Sequence, residues 1–366
     1  MKVGFRVDSS IEIGTGHVMR CLTLANQLKT FNIQSFFICR DLEGSVHSLI
    51  QDEGFSVYLL RAKSLGEGDL EWYERKWEID VEETRLVLEK EKLHLRLVIL
   101  DHYGLDDRWE SVLKTSAPKL LVIDDLANRK HYCDYLLDQN YTSSYQKRYE
   151  GLIPDFCQPF LGPEYILLRD EFLNTDFDRK QHTGKIENIL VFFGGTDPTG
   201  ETLKALKALS IFSETVKVNI NVIVGSANPR QKEIELYCKC RENMNYYCQV
   251  QNISKFMADA DLCIGAGGTT TWERCYLGLP SIIIAVADNQ IQSTKAVSEK
   301  GAIYYLGYYT DVKTDHILNA LLELNSDRKK LQKMAEAASI LVDRVYVNSK
   351  PLATVISEAV QYDNIK

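Results

Sequence analysis

The chain has 366 residues, 45% of them hydrophobic and 26% charged, which is typical of a soluble globular protein with room for two domains. Its formal net charge of −8 leaves no basic field for a polyphosphate strand, so we expect no nucleic-acid polymer as a partner. Apolar stretches such as SIIIAVA are far shorter than a membrane span, and no leader-like segment precedes the first apolar run, which predicts a cytoplasmic protein without a membrane partner.

Strand-like and helical segments alternate along the first half. The strand-like runs are KVGFRV, SFFIC, SVYLL, LRLVIL and KLLVID, and helices are predicted after His17, near Val46, over Val81 to Glu89 and near Trp109. This order is typical of a parallel sheet with crossover helices. The charged stretch EGDLEWYERKWEIDVEETRLVLEKEKLHLR is interpreted as a solvated, salt-bridged helical region.

A domain boundary is predicted between Glu171 and Lys185. The proline-rich and aromatic-rich segment YEGLIPDFCQPFLGPEY reads as a loop, and the charged stretch NTDFDRKQHTGK follows it. A second alternation then begins with NILVFFGGTDPTGETLKAL. We therefore predict an α/β protein with an N-terminal domain over 1–172, a C-terminal domain over 173–340, and a final helix over 341–366 that packs back across both domains.

The first glycine turn, VDSSIEIGTGHVMRCLTLANQL, joins a strand to a helix. Gly14 and Gly16 bring bare backbone close to a ligand, and Asp8 stands at the strand end. His17 falls in the first helical turn, where burial and the helix dipole favour its neutral, proton-accepting form. The alternative is that His17 only caps the helix.

Two further strand ends carry polar residues. ILDHYG places Asp101, His102 and Tyr103 at the edge where open α/β sheets bind ligands, and Tyr103 either contacts a substrate or packs at a domain interface. Asp124 and Asp125 of VIDD are adjacent and should point to opposite faces, so they do not form the facing carboxylate pair of glycosidases.

In the second half, CIGAGGTTTWE places a glycine loop between a strand and a helix start, where backbone amides and the helix dipole favour an anion such as a diphosphate. A tight turn with a threonine cap is the alternative. Glu273, one turn further, either binds the hydroxyls of a ribose or is a solvated side chain. Gly195 and Thr196 of FFGGTD end another strand of this half.

Metal and cofactor sites are not expected. Nine cysteines at irregular spacing indicate reduced thiols, and Cys238-x-Cys240 has no second pair or nearby histidine to complete a zinc site.

Together, FRVDSSIEIGTGHVMRCLTLA, ILDHYG, VIDD, FFGGTD and GAGGTTTWE resemble the UDP-2,4-diacetamido-2,4,6-trideoxy-β-L-altropyranose hydrolases of pseudaminic acid biosynthesis, from Lys2 to about Gly307. The glycine loops alone are shared with the wider GT-B glycosyltransferases. The resemblance implies two Rossmann-like, doubly wound domains facing a central cleft, a UDP-sugar partner and water as the acceptor.

The resemblance also implies roles for residues. It makes His17 the catalytic base for water and places Tyr103 in the sugar site. The predicted substrate-binding residues are Asp8, Gly14, Gly16, Tyr103, Gly195 and Thr196. The predicted nucleotide-binding residues are Gly265, Ala266, Gly267, Gly268, Thr269 and Glu273. UDP is a stabilised leaving group, so one base suffices, and direct attack by water inverts the anomeric carbon.

Two other functions fit the same residues. A GT-B glycosyltransferase would pass the sugar to an alcohol, using the same histidine as base. A noncatalytic UDP-sugar sensor would use the histidine as a contact only.

Overall fold

The computed structural model describes residues 1–62, 68–92, 94–173 and 183–362. The chain divides into two compact units. The first comprises Met1–Asn140, Ser144–Asp170 and Val345–Lys366, and the second comprises Tyr141–Ser143 and Glu171–Arg344. The chain thus passes from one unit to the other at Asp170, and the predicted boundary stretch that follows lies partly outside the described residues.

The first unit contains a seven-stranded sheet in which every strand pairing is parallel. Its strands are β1 (Lys2–Val7), β2 (Gln34–Arg40), β3 (Ser56–Leu60), β4 (Leu95–Asp101), β5 (Leu120–Ile123), β6 (Tyr135–Asp138) and β7 (Gln158–Leu161). Their order is β3-β2-β1-β4-β5-β6-β7. The chain reverses its direction of travel across the sheet between β1 and β4, which creates a crevice at their carboxyl ends.

Helices connect these strands. They are α1 (Gly16–Lys29), α2 (His47–Asp52), α3 (Asp69–Glu91) and α4 (Asp107–Leu113), with 3₁₀ turns at Tyr145–Lys147 and Pro163–Tyr165 and a short α5 (Asp170–Leu173) at the boundary. The loop predicted over YEGLIPDFCQPFLGPEY is wrong for Gln158–Leu161, which forms β7. The helix predicted over Val81 to Glu89 begins at Asp69, with non-helical backbone at Lys76.

The sheet is covered by a core on each face, as parallel sheets require. Val3, Phe5 and Val7 of β1 pack in one cluster with residues of α1. Phe36 and Ile38 of β2 pack in the other, with the aromatic residues of α3 and α4. Alternate residues of a strand face opposite sides of the sheet, so each strand contributes side chains to both cores.

The region interpreted as solvated helix is in part deeply buried, which corrects that reading. The Asp80 side chain of α3 has no exposed surface and lies 2.6 Å from the buried Arg6 guanidinium and 2.7 Å from that of Arg40. Trp109 Nε1 donates to the same carboxylate at 3.0 Å. A charged residue inside β1 needed a buried partner, and α3 supplies it.

The second unit contains a six-stranded parallel sheet. Its strands are β8 (Asn188–Phe192), β9 (Asn219–Val224), β10 (Met244–Cys248), β11 (Leu262–Ala266), β12 (Ser281–Ala285) and β13 (Tyr304–Tyr308), in the order β10-β9-β8-β11-β12-β13. Its helices are α6 (Glu201–Phe212), α7 (Gln231–Lys239), α8 (Ile253–Asp259), α9 (Thr270–Leu277), α10 (Asp288–Glu299), α11 (Thr314–Ser326) and α12 (Arg328–Leu341). Here the reversal falls between β8 and β11.

The tail forms α13 (Arg344–Asn348) and α14 (Pro351–Tyr362). Leu352, Ala353, Ile356 and Val360 of α14 are buried in the cluster that contains α1, so this helix belongs to the core of the first unit. In the described ranges, no helix is both long enough and apolar enough to cross a bilayer.

A buried histidine should make stability depend on pH. His131 Nδ1 lies 2.7 Å from Glu110 and Nε2 lies 3.7 Å from Asp124. Burial alone would lower the pKa of His131, but the two carboxylates outweigh it and raise the pKa to about 9. This contribution is fully present below the unfolded pKa of roughly 6.5 and is lost as pH rises through 9.

We expect urea unfolding to show a loss of roughly 3 kcal/mol in stability between pH 6.5 and 9.5 from this group. The His131→Gln variant should be less stable than the wild type at pH 6.5 and approach it at pH 9.5. Tryptophan fluorescence can follow both transitions. A difference between the two proteins that stays constant with pH would refute a charged His131.

Candidate active site

The first site is built at the reversal point of the N-terminal sheet. Val7 of β1 and Asp101 of β4 are paired neighbours. α1 follows β1 after a short loop and carries His17 in its first turn. The sheet order therefore brings the histidine of the first glycine turn beside the end of β4.

Serine side chains shape the loop before α1. Ser10 Oγ accepts from the amide of Ile13 at 2.9 Å and donates to Asp69 of α3, and Ser9 Oγ accepts from the amide of Val46 at 3.0 Å. Gly14 has a positive φ of 80°, which favours glycine. A side chain built at Gly14 or Gly16 would meet no atom within 4 Å, so the backbone there faces open space.

His17 is paired with a buried carboxylate. Its Nδ1 lies 2.5 Å from Asp101 Oδ1, and His17 is only 6% exposed. Burial alone would raise the pKa of Asp101, but Arg20 and His17 hold it well below its ordinary value. The ionised carboxylate accepts the Nδ1 proton, which leaves Nε2 as the proton acceptor.

Arg20 and Asp125 complete this cluster. Arg20 donates to Asp101 through Nε at 2.5 Å and Nη2 at 2.6 Å, and to Asp125 through Nη1 at 2.9 Å. The Tyr103 hydroxyl donates to Asp125 at 2.6 Å. The Tyr103 and His17 rings pack edge to face, with their centroids 4.4 Å apart. The two residues predicted for the base and the sugar site are thus in contact.

Two other predicted residues lie in a separate network. The Asp8 side chain has no exposed surface and pairs with Arg6 at 2.7 Å, with Tyr73 and with the amide of Arg40 at 2.6 Å. His102 Nε2 lies 3.4 Å from Asp8. Burial lowers the pKa of His102. The Asp8 carboxylate is thus fully engaged by protein partners, and its predicted role in substrate binding stays a prediction.

Sequence reasoning missed Arg20 and the pairing role of Asp101. Arg20 stands three residues after His17, a spacing that places both side chains on one helix face. Asp101 was visible as a polar strand end, but its pairing with His17 depends on β4 lying next to β1. Asp124 and Asp125 bind different partners, in line with their predicted opposite directions.

The second site is built at the reversal point of the C-terminal sheet. The predicted glycine loop, Gly265–Thr269, comprises the last two residues of β11 and the three residues that join this strand to α9. Gly265 is paired with Phe192 of β8. A Cβ at Gly265 would stand 2.4 Å from the Phe192 carbonyl, and one at Gly267 would stand 2.1 Å from Thr294 Oγ1. Gly265 therefore has no room for a side chain, because the obstacle is backbone, whereas a side chain at Gly267 would have to displace the Thr294 hydroxyl.

The start of α9 is not closed by a side chain. Thr269 is the N-cap residue, yet it makes no side-chain hydrogen bond to the first-turn amides, so the alternative of a simple threonine cap is wrong. Glu273 lies in the first turn and is 7% exposed. The amides of Thr271 and Trp272 already donate to the carbonyls of Gly268 and Thr269 at 2.9 and 3.1 Å, so an anion at this end would be bound by the amides that precede them.

The FFGGTD segment follows β8. Gly194 has a positive φ of 91°. Gly195 is half-buried, and its carbonyl oxygen lies so close to Gly225 that a Cβ added to Gly225 would stand 2.2 Å from it. Asp197 caps α6 by accepting from the amides of Glu201 and Thr202, both at 2.9 Å. Thr196, between Gly195 and Asp197 in the sequence, is also half-buried.

Residues 189–349 match the family model described as the glycosyltransferase family 28 C-terminal domain. The crystal structure of Acinetobacter baumannii MurG is similar with a TM-score of 0.63 and 14% identity, covering 96% of this chain and 99% of that one. Two parallel-sheet units with these similarities define a protein of GT-B fold.

The UDP-2,4-diacetamido-2,4,6-trideoxy-beta-L-altropyranose hydrolase of Campylobacter jejuni is 32% identical over 305 residues, covering 82% of this chain and 97% of that protein. The chain belongs to the family of this hydrolase. A Helicobacter pylori protein named as a pseudaminic acid cytidylyltransferase and the same hydrolase is 28% identical over 207 residues, or 56% of this chain and 36% of that protein.

Proposed function

We propose that the protein hydrolyses UDP-2,4-diacetamido-2,4,6-trideoxy-β-L-altropyranose to UDP and the free sugar. The observation that carries the proposal is the oriented base: Asp101 holds Nδ1 of His17 at 2.5 Å and leaves Nε2 to accept a proton. The name of the Campylobacter relative supports the substrate, and the fold supports a nucleotide-sugar.

His17 Nε2 takes a proton from water while the water oxygen forms a bond to the anomeric carbon. The bond between that carbon and the β-phosphate oxygen breaks, and its electron pair leaves with UDP. Attack opposite the leaving group inverts the anomeric configuration. The base contributes roughly 10²- to 10⁴-fold in rate, and the imidazolium that forms is stabilised by Asp101.

Other residues bind the two parts of the substrate in this proposal. Tyr103, held by Asp125, lines the sugar site beside His17, and the open backbone at Gly14 and Gly16 contacts the sugar nucleotide. The loop Gly265–Thr269 binds the diphosphate through its amides, with Gly195 and Thr196 on the neighbouring strand end, and Glu273 binds the ribose.

The test is incubation with a panel of UDP-sugars and no added acceptor, read by NMR. Release of UDP together with inverted free sugar from the altrose derivative supports the proposal. A glycosyltransferase would release product only after an alcohol acceptor is added. A UDP-sugar sensor would bind the nucleotide and release nothing, and either of these results would overturn hydrolysis.

The Glu273→Ala variant should weaken UDP binding. Losing a buried charged hydrogen bond costs roughly 1.5 to 3 kcal/mol, which is about 10- to 150-fold in affinity. Calorimetric titration with UDP measures the change, and Glu299→Ala, an exposed position at the end of α10, is the matched control. Equal affinities for wild type and Glu273→Ala would remove Glu273 from the ribose site.

Hydrolysis should persist after exhaustive chelation. In the described parts of the chain, no three histidine, cysteine, aspartate or glutamate side chains group to hold a metal ion. The mechanism proposed here draws its charge stabilisation from backbone amides and needs no divalent ion. Activity lost in EDTA and restored by one divalent ion would contradict this expectation.

A further inference from the structure

One arginine lies under the glycine loop of the C-terminal unit. Arg274 of α9 is fully buried. Its guanidinium donates to the Ala266 carbonyl at 2.8 Å and to the hydroxyls of Thr270 and Thr271, both at 3.0 Å. All three acceptors are neutral, and over the residues that the structure describes no carboxylate pairs with this cation.

A buried charge with neutral partners only is costly, because the desolvation penalty is not offset by an opposite charge. The Nε atom of Arg274 is buried and has no hydrogen-bond acceptor among the described residues. An anion close to the guanidinium would offset this cost. The geometry therefore favours a negatively charged ligand near Arg274.

The glycine loop lies directly against the Arg274 guanidinium. A Cβ at Gly265 would stand only 3.3 Å from Arg274 Nη1, so the absence of a side chain brings the loop backbone down onto the guanidinium. The hydrogen bond to Ala266 fixes the same loop. Arg274 thus has two effects on the glycine loop: it places a positive charge next to the loop, and it fixes the loop backbone through a hydrogen bond.

An independent observation points to the same place. Thr294 of α10 is 1% exposed, and its hydroxyl has no hydrogen-bond partner in the described chain. This oxygen lies 2.1 Å from the position that a Cβ of Gly267 would take, so it is directed at the glycine loop. An unsatisfied buried hydroxyl is itself a place for a ligand oxygen.

We propose that Arg274 is the residue that makes the loop selective for nucleoside diphosphates over uncharged nucleosides, with Thr294 as its polar counterpart. The inference rests on the proposed nucleotide site. Arg274 acts as a positioning residue: its charge attracts the diphosphate through the loop, and its hydrogen bonds aim the loop amides. The ribose and base contribute to binding independently of it.

The experiment compares the affinities of UDP and uridine by calorimetric titration. Arg274→Gln removes the charge and keeps a donor for Ala266, whereas Arg274→Lys keeps the charge. We expect the preference for UDP over uridine to fall roughly 10- to 100-fold in Arg274→Gln and to be largely retained in Arg274→Lys. Arg241→Gln, after the end of α7, controls for net charge.

Thr294→Val is a second, milder variant and should lower the same preference several-fold without changing uridine affinity. Thermal melting confirms that each variant is folded. If the wild type binds UDP but Arg274→Gln or Thr294→Val keeps its full preference, the inference is wrong and the proposed function stands. If the wild type does not bind UDP, both are wrong.

Discussion

The His17→Asn variant is expected to lose at least about 10²-fold in turnover of the UDP-altrose derivative while its affinity for the substrate changes far less. Asparagine keeps polarity and approximate size but removes the only nitrogen, Nε2, that can take the proton from water. The nucleotide contacts are assigned to Gly265–Thr269 of the other unit, so binding should survive.

Steady-state kinetics and UDP titration measure the two halves of this expectation. His94→Asn, an exposed histidine just before β4, is the matched control and should keep normal turnover. Near-wild-type turnover in His17→Asn would mean that the histidine is only a contact. Asp8, Asp101 and His102 would not readily replace it, since all three are buried in ion pairs or hydrogen bonds.

Much of the fold follows from local pattern. Apolar runs such as KVGFRV and LRLVIL are buried over almost their whole length, which is why they predict parallel strands covered on both faces. The short strands β6 and β7 were not predicted. They have only four residues each, and Pro159 together with flanking turn residues gives β7 the appearance of a loop.

The buried part of α3 could not be predicted from its own sequence. Asp80 stands among many charged residues that are exposed, and it is distinguished by its buried contacts with Arg6, Arg40 and Trp109. The clue lies elsewhere in the chain: Arg6 is a charged residue inside an apolar strand. Such a residue needs a buried counter-charge, but the sequence does not say which carboxylate supplies it.

In the candidate active site, too, some features follow from local sequence pattern and others depend on distant residues. The glycines and His17 form a local motif, so the sequence predicts a ligand-binding turn at the start of α1. The ion pair with Asp101 joins residues 84 positions apart and depends on the order of β1 and β4 in the sheet. The partners of Asp8 could not be predicted for the same reason, since one of them, Tyr73, comes from the distant α3.

Asp101→Asn is expected to lower turnover by roughly 10²- to 10⁴-fold. An asparagine amide donates to Nδ1 of His17 and so moves the ring proton to Nε2, where it blocks proton acceptance from water. Arg20 keeps Asp125 as a partner, so the fold should be retained. Asp124→Asn, a buried strand-end carboxylate bound to His131 and Arg129, is the matched control; it should lose stability and keep turnover within a few-fold.

Combining the two substitutions separates a positioning role from a general loss of structure. If Asp101 acts through the imidazole, the His17→Asn/Asp101→Asn protein should turn over no more slowly than His17→Asn alone, because the group that Asp101 positions is already gone. UDP affinity should stay near that of the wild type in all three variants. Losses that multiply in the double variant, or a parallel fall in UDP affinity, would show that Asp101 supports the fold and does not orient the base.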